Sequence, residues 1–161
     1  MPSRRQNKYA QVFCTSFGWT RCYPMKAKSN AHEALSTMLA QDGVPNVLIM
    51  DSVMEQVAGK FWKKAIDADC HVRQTEPFPS WSNAAEGAIR ELKKGGTRKM
   101  IRTGSPCCLW DHCLELEAYI QSHTALNSFA LQGEMPKSYM TGKTPDISEY
   151  AEFAWYDWIK F

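Results

Sequence analysis

Two carboxylates are set apart by their positions, Asp51 and Glu86, with 34 residues between them. Asp51 closes the apolar run Val47-Leu48-Ile49-Met50, and Glu86 follows a segment broken by Pro77 and Pro79. Ligands of open α/β sheets bind beyond the carboxyl ends of strands, which puts Asp51 where a site would form. Acids in such a place are hard oxygen ligands suited to Mg²⁺. Two such ions about 4 Å apart clamp the attacking and leaving oxygens of a phosphoryl transfer. Spacing alone decides little, because a chain with 17 acidic residues contains many pairs. Asp51 reads equally as a strand-end residue opening a turn, and Glu86 as a helix N-terminal acid favoured by the macrodipole. Arg90 and Lys93, four and seven residues beyond Glu86, share its helical face. Lys94, Arg98, Lys99 and Arg102 extend the same helix as a basic cluster able to neutralise phosphates, or as a plain solvated face.

These residues need a scaffold, and the composition allows one. The 161 residues are 44% hydrophobic and 22% charged, as in a soluble globular domain. A formal charge of +2 does not mark a nucleic-acid binder, so any such affinity must arise from local clustering. The sequence contains no run of eighteen apolar residues that would span a membrane. Arg4 and Arg5 make the start basic, but no apolar signal-type stretch follows, so the expected location is intracellular. The six cysteines are unevenly spread and read as free thiols. Cys107, Cys108, Asp111, His112 and Cys113 could be taken for a metal cluster, but the spacing fits no common zinc pattern. Cys113 falls on the apolar face of a helix, where cysteine acts as a small hydrophobe.

The elements follow from periodicity and punctuation. Tyr9 to Thr15 alternates as a strand, turns at Phe17-Gly18-Trp19-Thr20, and returns as Arg21 to Lys26. Asn30 with Glu33 predicts a capped helix, with Ala31, Leu35, Met38 and Leu39 inside and Asp42-Gly43-Val44-Pro45 as its stop. The run Val47 to Met50 suits a parallel strand buried on both faces. A second helix is expected from about Met54 to Ala68, with Met54, Val57, Phe61 and Ala65 inward, followed by a strand over Cys70 to Thr75. A third helix starts near Ala84 and is expected to break or fray at Gly95-Gly96. Ser105 and Pro106 open a fourth, with Leu109, Cys113, Leu116 and Ile120 inward. The aromatic tail, 146–161, is expected to form a C-terminal strand. One mixed α/β domain over 1–161 accounts for this order.

Several segments in this order resemble landmarks of copia-type retrotransposon integrases. They are Asn7-Lys8-Tyr9-Ala10-Gln11-Val12-Phe13, Tyr23-Pro24-Met25-Lys26, Gln74-Thr75-Glu76-Pro77-Phe78, Trp81, Asn83-Ala84-Ala85-Glu86 and Ile89-Arg90-Glu91-Leu92-Lys93. Leu109-Trp110-Asp111, Thr124-Ala125 and Gly142-Lys143-Thr144-Pro145-Asp146-Ile147-Ser148 continue the likeness over nearly the whole chain. The resemblance implies an RNase H-like fold, a mixed five-stranded sheet flanked by helices. It implies DNA integration by metal-dependent strand transfer, with Mg²⁺ or Mn²⁺ held by a D,D-E triad. Asp51 matches the second Asp and Glu86 the triad Glu, as catalytic and metal-binding residues. Asn83, Arg90 and Lys93 match positions at the DNA, and the implied partners are element ends, target DNA and further copies of the chain. The implied location is the nucleus or a retrotransposon particle.

The family's first Asp has no counterpart here, because none of the eight residues before Tyr9 is acidic. In the family that Asp bridges both ions, so its loss predicts a catalytically silent chain; one lost stabilising group can already cost ~10²–10³ in rate. The strand that would carry it is also missing from the sequence as read. Three expectations follow: a silent integrase-core relic, an active core whose first strand lies upstream, or a non-catalytic nucleic-acid- or protein-binding module.

Overall fold

The computed structural model describes residues 1–50, 58–74, 84–148 and 154–157. The protein is mixed α/β and divides into two compact units. One comprises Met1–Arg5, Val12–Cys22 and Ala84–Phe161, the other Gln6–Gln11 and Tyr23–Asn83. The hairpin strands β1 (Tyr9–Cys14) and β2 (Thr20–Met25) contribute to both. Their turn closes where the Thr15 N–H donates to the Trp19 carbonyl at 2.9 Å, and Gly18 supplies the required positive φ of 96°. The two strands read from the sequence therefore hold to within a residue at each end, although the burial of β1 does not alternate.

In the unit containing Tyr23–Asn83, a 3-10 turn over Lys28–Asn30 leads into α1 (Ala31–Asp42). The expected Asn30 cap is not made. Asn30 sits at φ −81°, ψ 2°, already inside the 3-10 turn, whereas a capping side chain needs extended backbone to reach the next N–H groups. The helix buries Ala31, Ala34, Leu35 and Met38. Strand β3 (Val47–Met50), helix α2 (Ala58–Asp67) and strand β4 (His71–Gln74) form a βαβ unit, with β3 and β4 parallel and Leu48 opposite Val72. Helix α2 packs against α1 and buries Phe61 and Ala65, as the pattern predicts; Met54 and Val57 lie outside the described residues. Strand β3 departs from expectation. Met50 is buried, but Val47 is 40% and Ile49 64% exposed, so one face of the strand is open. An uninterrupted apolar run carries no period, and so does not tell one covered face from two.

The unit containing Ala84–Phe161 is built on α3 (Ala84–Thr103) and α4 (Trp110–His123), which pack against each other. Helix α3 runs unbroken through Gly95 and Gly96, correcting the expected break. The two glycines are where α4 comes closest. A Cβ on Gly96 would lie 2.7 Å from Leu114 Cδ2, and one on Gly95 would collide with the Glu117 carboxylate. The helix tolerates their poor propensity because only glycine lets the second helix in this close. A 3-10 turn over Cys107–Leu109 precedes α4. Helix α4 also corrects the sequence reading. Cys113 is buried as expected, its Sγ donating to the Gly96 carbonyl at 3.5 Å, but Leu109, Leu116 and Ile120 are only half-buried. The buried face instead carries Asp111, Glu117, Ser122 and His123.

Each of these groups has a partner, as burial demands. Arg5 Nε donates to Asp111 Oδ2 at 2.8 Å, and Lys99 and Gln121 both donate to Glu117. The Thr20 N–H donates to Ser122 Oγ at 2.9 Å, and Ser122 donates back to the Thr20 carbonyl at 2.7 Å. His123 Nδ1 lies 2.7 Å from the Tyr119 carbonyl, a position that makes it the donor. A short helix that the sequence reading did not place, α5 (Pro136–Thr141), has Pro136 in its first turn and ends at Gly142 in the left-handed region. In the aromatic tail the described residues do not extend as a strand. Ala154 to Asp157 turns back, with the Ala154 N–H donating to Asp157 Oδ2 at 2.7 Å. Tandem polar groups that bond each other locally favour such a turn over a ladder.

Two outcomes follow from this packing. Gly96→Ala, and still more Gly95→Ala, should destabilise the protein by ~1–3 kcal/mol through overpacking, despite the helix propensity gained. Gly87→Ala, where a Cβ meets nothing within 4 Å, should stabilise it by ~0.5–1 kcal/mol. Urea denaturation of the three variants checks both signs, and a stabilised Gly96→Ala would mean that the helices are not in close contact. The second outcome concerns pH. Burial, aided by the charges of Glu115 and Asp111, pushes the Cys22 thiol up to about 12. Burial likewise lifts Cys113 to about 11, against an opposing pull from Lys99. A value raised on folding means that the stabilisation is complete below the ordinary thiol range, near 9, and is lost as pH rises through the folded values. The urea midpoint should therefore fall above pH 9, and fall less in a Cys22→Ala/Cys113→Ala variant. An equally steep fall in that variant would assign the effect to other groups.

Candidate functional site

Most of the site residues expected from the sequence lie on α3, so the site can be built along that helix. Glu86 is in its first turn and exposed to solvent. Arg90 and Lys93 follow on the same side, also exposed, within ~10 Å along the axis at 1.5 Å per residue. Leu92 and Gly96 mark the buried side. This division is what a 3.6-residue period produces when α4 covers one face, and it leaves Glu86, Arg90 and Lys93 as an open row.

The basic residues are not equivalent. Lys94 pairs with Glu91 at 3.6 Å, a helical neighbour. Lys99 lies on the α4 side, held to Glu117, whose side chain is almost fully buried. That ion pair neutralises a carboxylate inside the helix contact, so Lys99 positions α3 against α4 rather than facing a ligand. Arg90, Lys93, Arg98 and Arg102 are exposed and make no ion pair among the described residues. In the expected cluster of six, then, four charges are open, one has a weak surface partner and one is internal.

Asp51 and Asn83 lie outside the described residues, so no geometry relates them to Glu86. Among the described residues no three of the His, Cys, Asp and Glu side chains gather as a metal-binding group. Glu86 alone is one exposed oxygen donor, and a divalent site needs more convergent oxygens than that. With Asp51 outside the described residues, the expected Mg²⁺ or Mn²⁺ ligand pair has no geometry to report, and what the described residues present along α3 is a row of exposed charges. No helix among the described residues is long and apolar enough to cross a membrane.

Sequence reasoning passed over two features. Arg5, read only as part of a basic start, closes on Asp111 and on Glu115 at 2.6 Å. Lys60, Lys63 and Lys64, which the sequence reading did not single out, line a cleft together with His32 of α1. The i, i+3, i+4 spacing of those lysines was the available signal; the position of His32 was not, since it depends on how α1 and α2 pack.

Compared with known proteins, the chain matches no family model and no curated sequence. Its fold does match solved structures. One is a chain of the simian T-cell lymphotropic virus intasome in complex with PP2A regulatory subunit B56 gamma, with a TM-score of 0.71 at 15% identity. The match covers 88% of this chain and 51% of that one, so the protein spans about half the length of its structural neighbour. The mixed α/β fold is thus similar to that of a chain in a retroviral intasome.

Proposed function

We propose that this protein is a retrotransposon-type integrase core of copia character, RNase H-like in fold, that engages DNA through the open face of α3. The observation that carries the reading is the row of exposed cations Arg90 and Lys93 beside Glu86, which form no ion pair among the described residues. The landmark segments around that row, and the fold likeness to an intasome chain, support it. Fold alone does not fix an activity, so the reading rests on the chemistry of the α3 face. On this reading Arg90, Lys93, Arg98 and Arg102 take phosphates, Lys94 joins them once released from Glu91, and Lys99 keeps the helix in place. Asp51 and Glu86 are two carboxylates of a D,D-E triad that would hold Mg²⁺ or Mn²⁺. Asn83 and a further copy of the chain complete the surface presented to element ends and target DNA.

Duplex DNA binding, followed by fluorescence anisotropy across a salt series, tests this. Arg90→Ala/Lys93→Ala should lower the slope of log affinity against log salt by ~2. Asp51→Asn and Glu86→Gln should leave binding in the absence of metal intact. A slope unchanged by the double substitution would overturn the α3 assignment. Strand transfer with Mg²⁺ or Mn²⁺ by a complex containing the chain should be lost in Asp51→Asn and in Glu86→Gln; activity that survives both substitutions would overturn the triad assignment.

A further inference from the structure

Helix α2 places Lys60, Lys63 and Lys64 at i, i+3 and i+4, beside the face that buries Phe61 and Ala65. All three lysines are exposed, and none forms an ion pair among the described residues. Asp67 is one helical turn from Lys63, yet the two do not pair. The lysines converge on a cleft of about 390 Å³ whose other walls are His32, Leu39, Asp67 and Ala68. His32 Nδ1 lies 2.8 Å from the Ser29 carbonyl, which can only accept, so this nitrogen carries the proton and Nε2 is left available. Like charges one turn apart repel, and an arriving anion relieves that repulsion as well as gaining attraction.

We infer that the α1–α2 cleft is a second contact for the phosphate backbone of duplex DNA, remote in sequence from the α3 face. The inference rests on the DNA-binding reading above and adds a site to it. Three features select a backbone over a small anion. Tight pockets for a lone phosphate use helix N-terminal N–H groups or forked guanidinium pairs; this cleft offers lysine point charges from the middle of a helix. Lys60 and Lys64 are separated by ~6 Å along α2, and each strand of a duplex carries one charge per ~3.4 Å of axis, so neighbouring phosphates can be met together. The cleft is shallow and open to solvent, which leaves room for a duplex to lie along it.

The test uses the 161-residue chain and the same labelled duplex. Lys60→Ala/Lys63→Ala/Lys64→Ala should lower the salt slope by ~2–3 and weaken binding about tenfold or more. The matching triple Arg variant should keep the slope, since it keeps the charge. Circular dichroism and urea midpoints should not move, because the substituted side chains are exposed. A triple Ala variant that binds like the unsubstituted chain, while Arg90→Ala/Lys93→Ala loses slope, overturns this inference and leaves the α3 reading standing. If neither set changes the slope, the DNA-binding reading itself fails. Inorganic phosphate should displace duplex no better than chloride at equal ionic strength. Stronger displacement by phosphate that the triple Ala variant abolishes would make the cleft a small-anion site and overturn the inference.

Discussion

The approach of α4 to Gly95 and Gly96 of α3 is the constraint on which the larger unit depends. Two glycines in succession inside a helix would ordinarily cost about 1 kcal/mol each relative to alanine. Here they allow Glu117 to lie against the α3 backbone and take the ammonium of Lys99. Cys113 and Leu114 fill the space beside Gly96. With that side fixed, the opposite side of α3 is exposed by default, and Glu86, Arg90 and Lys93 become a surface row without any dedicated device to present them.

The polar burial on α4 follows from the same economy of space. Where helices come this close, few large side chains fit, and short hydrogen-bonding groups replace apolar ones. Asp111, Glu117 and Ser122 are tolerated because each finds a partner: Arg5, Lys99 and the Thr20 backbone. Removing one partner would strand a charge or a donor, so these contacts enforce a particular arrangement more than they add stability. The Met1–Arg5 segment takes part directly, with the Arg4 N–H donating to the Cys108 carbonyl at 2.7 Å.

What the sequence made legible was local. The strand over Tyr9–Cys14, the stop at Gly43 and the stripe through Leu35 and Met38 each lie within a dozen residues, and the structure agrees. Gly95 and Gly96 were misread because propensity describes a lone helix, whereas their role is set by a second one. The buried face of α4 was misread because its partners sit up to 106 residues away in sequence. Helix α5, bounded by Pro136 and Gly142, was passed over because it is too short to show a period. For the site, the 3.6-residue period sufficed to put Arg90 and Lys93 beside Glu86. It could not show that Lys99 turns inward, nor that Lys60, Lys63 and Lys64 share a cleft with a histidine from α1.

The open face of β3 bears on how this chain behaves at high concentration. Among the described residues β3 pairs with β4, and Val47 and Ile49 lie exposed along it. A short, uncharged, β-prone window of this kind templates self-association when chains crowd together. Pro45 before it and Asp51 after it act as gatekeepers, one unable to donate a ladder bond and the other repelling its own copies. Two residues of unlike chemistry thus flank the most apolar strand of the chain and oppose its stacking on a second copy.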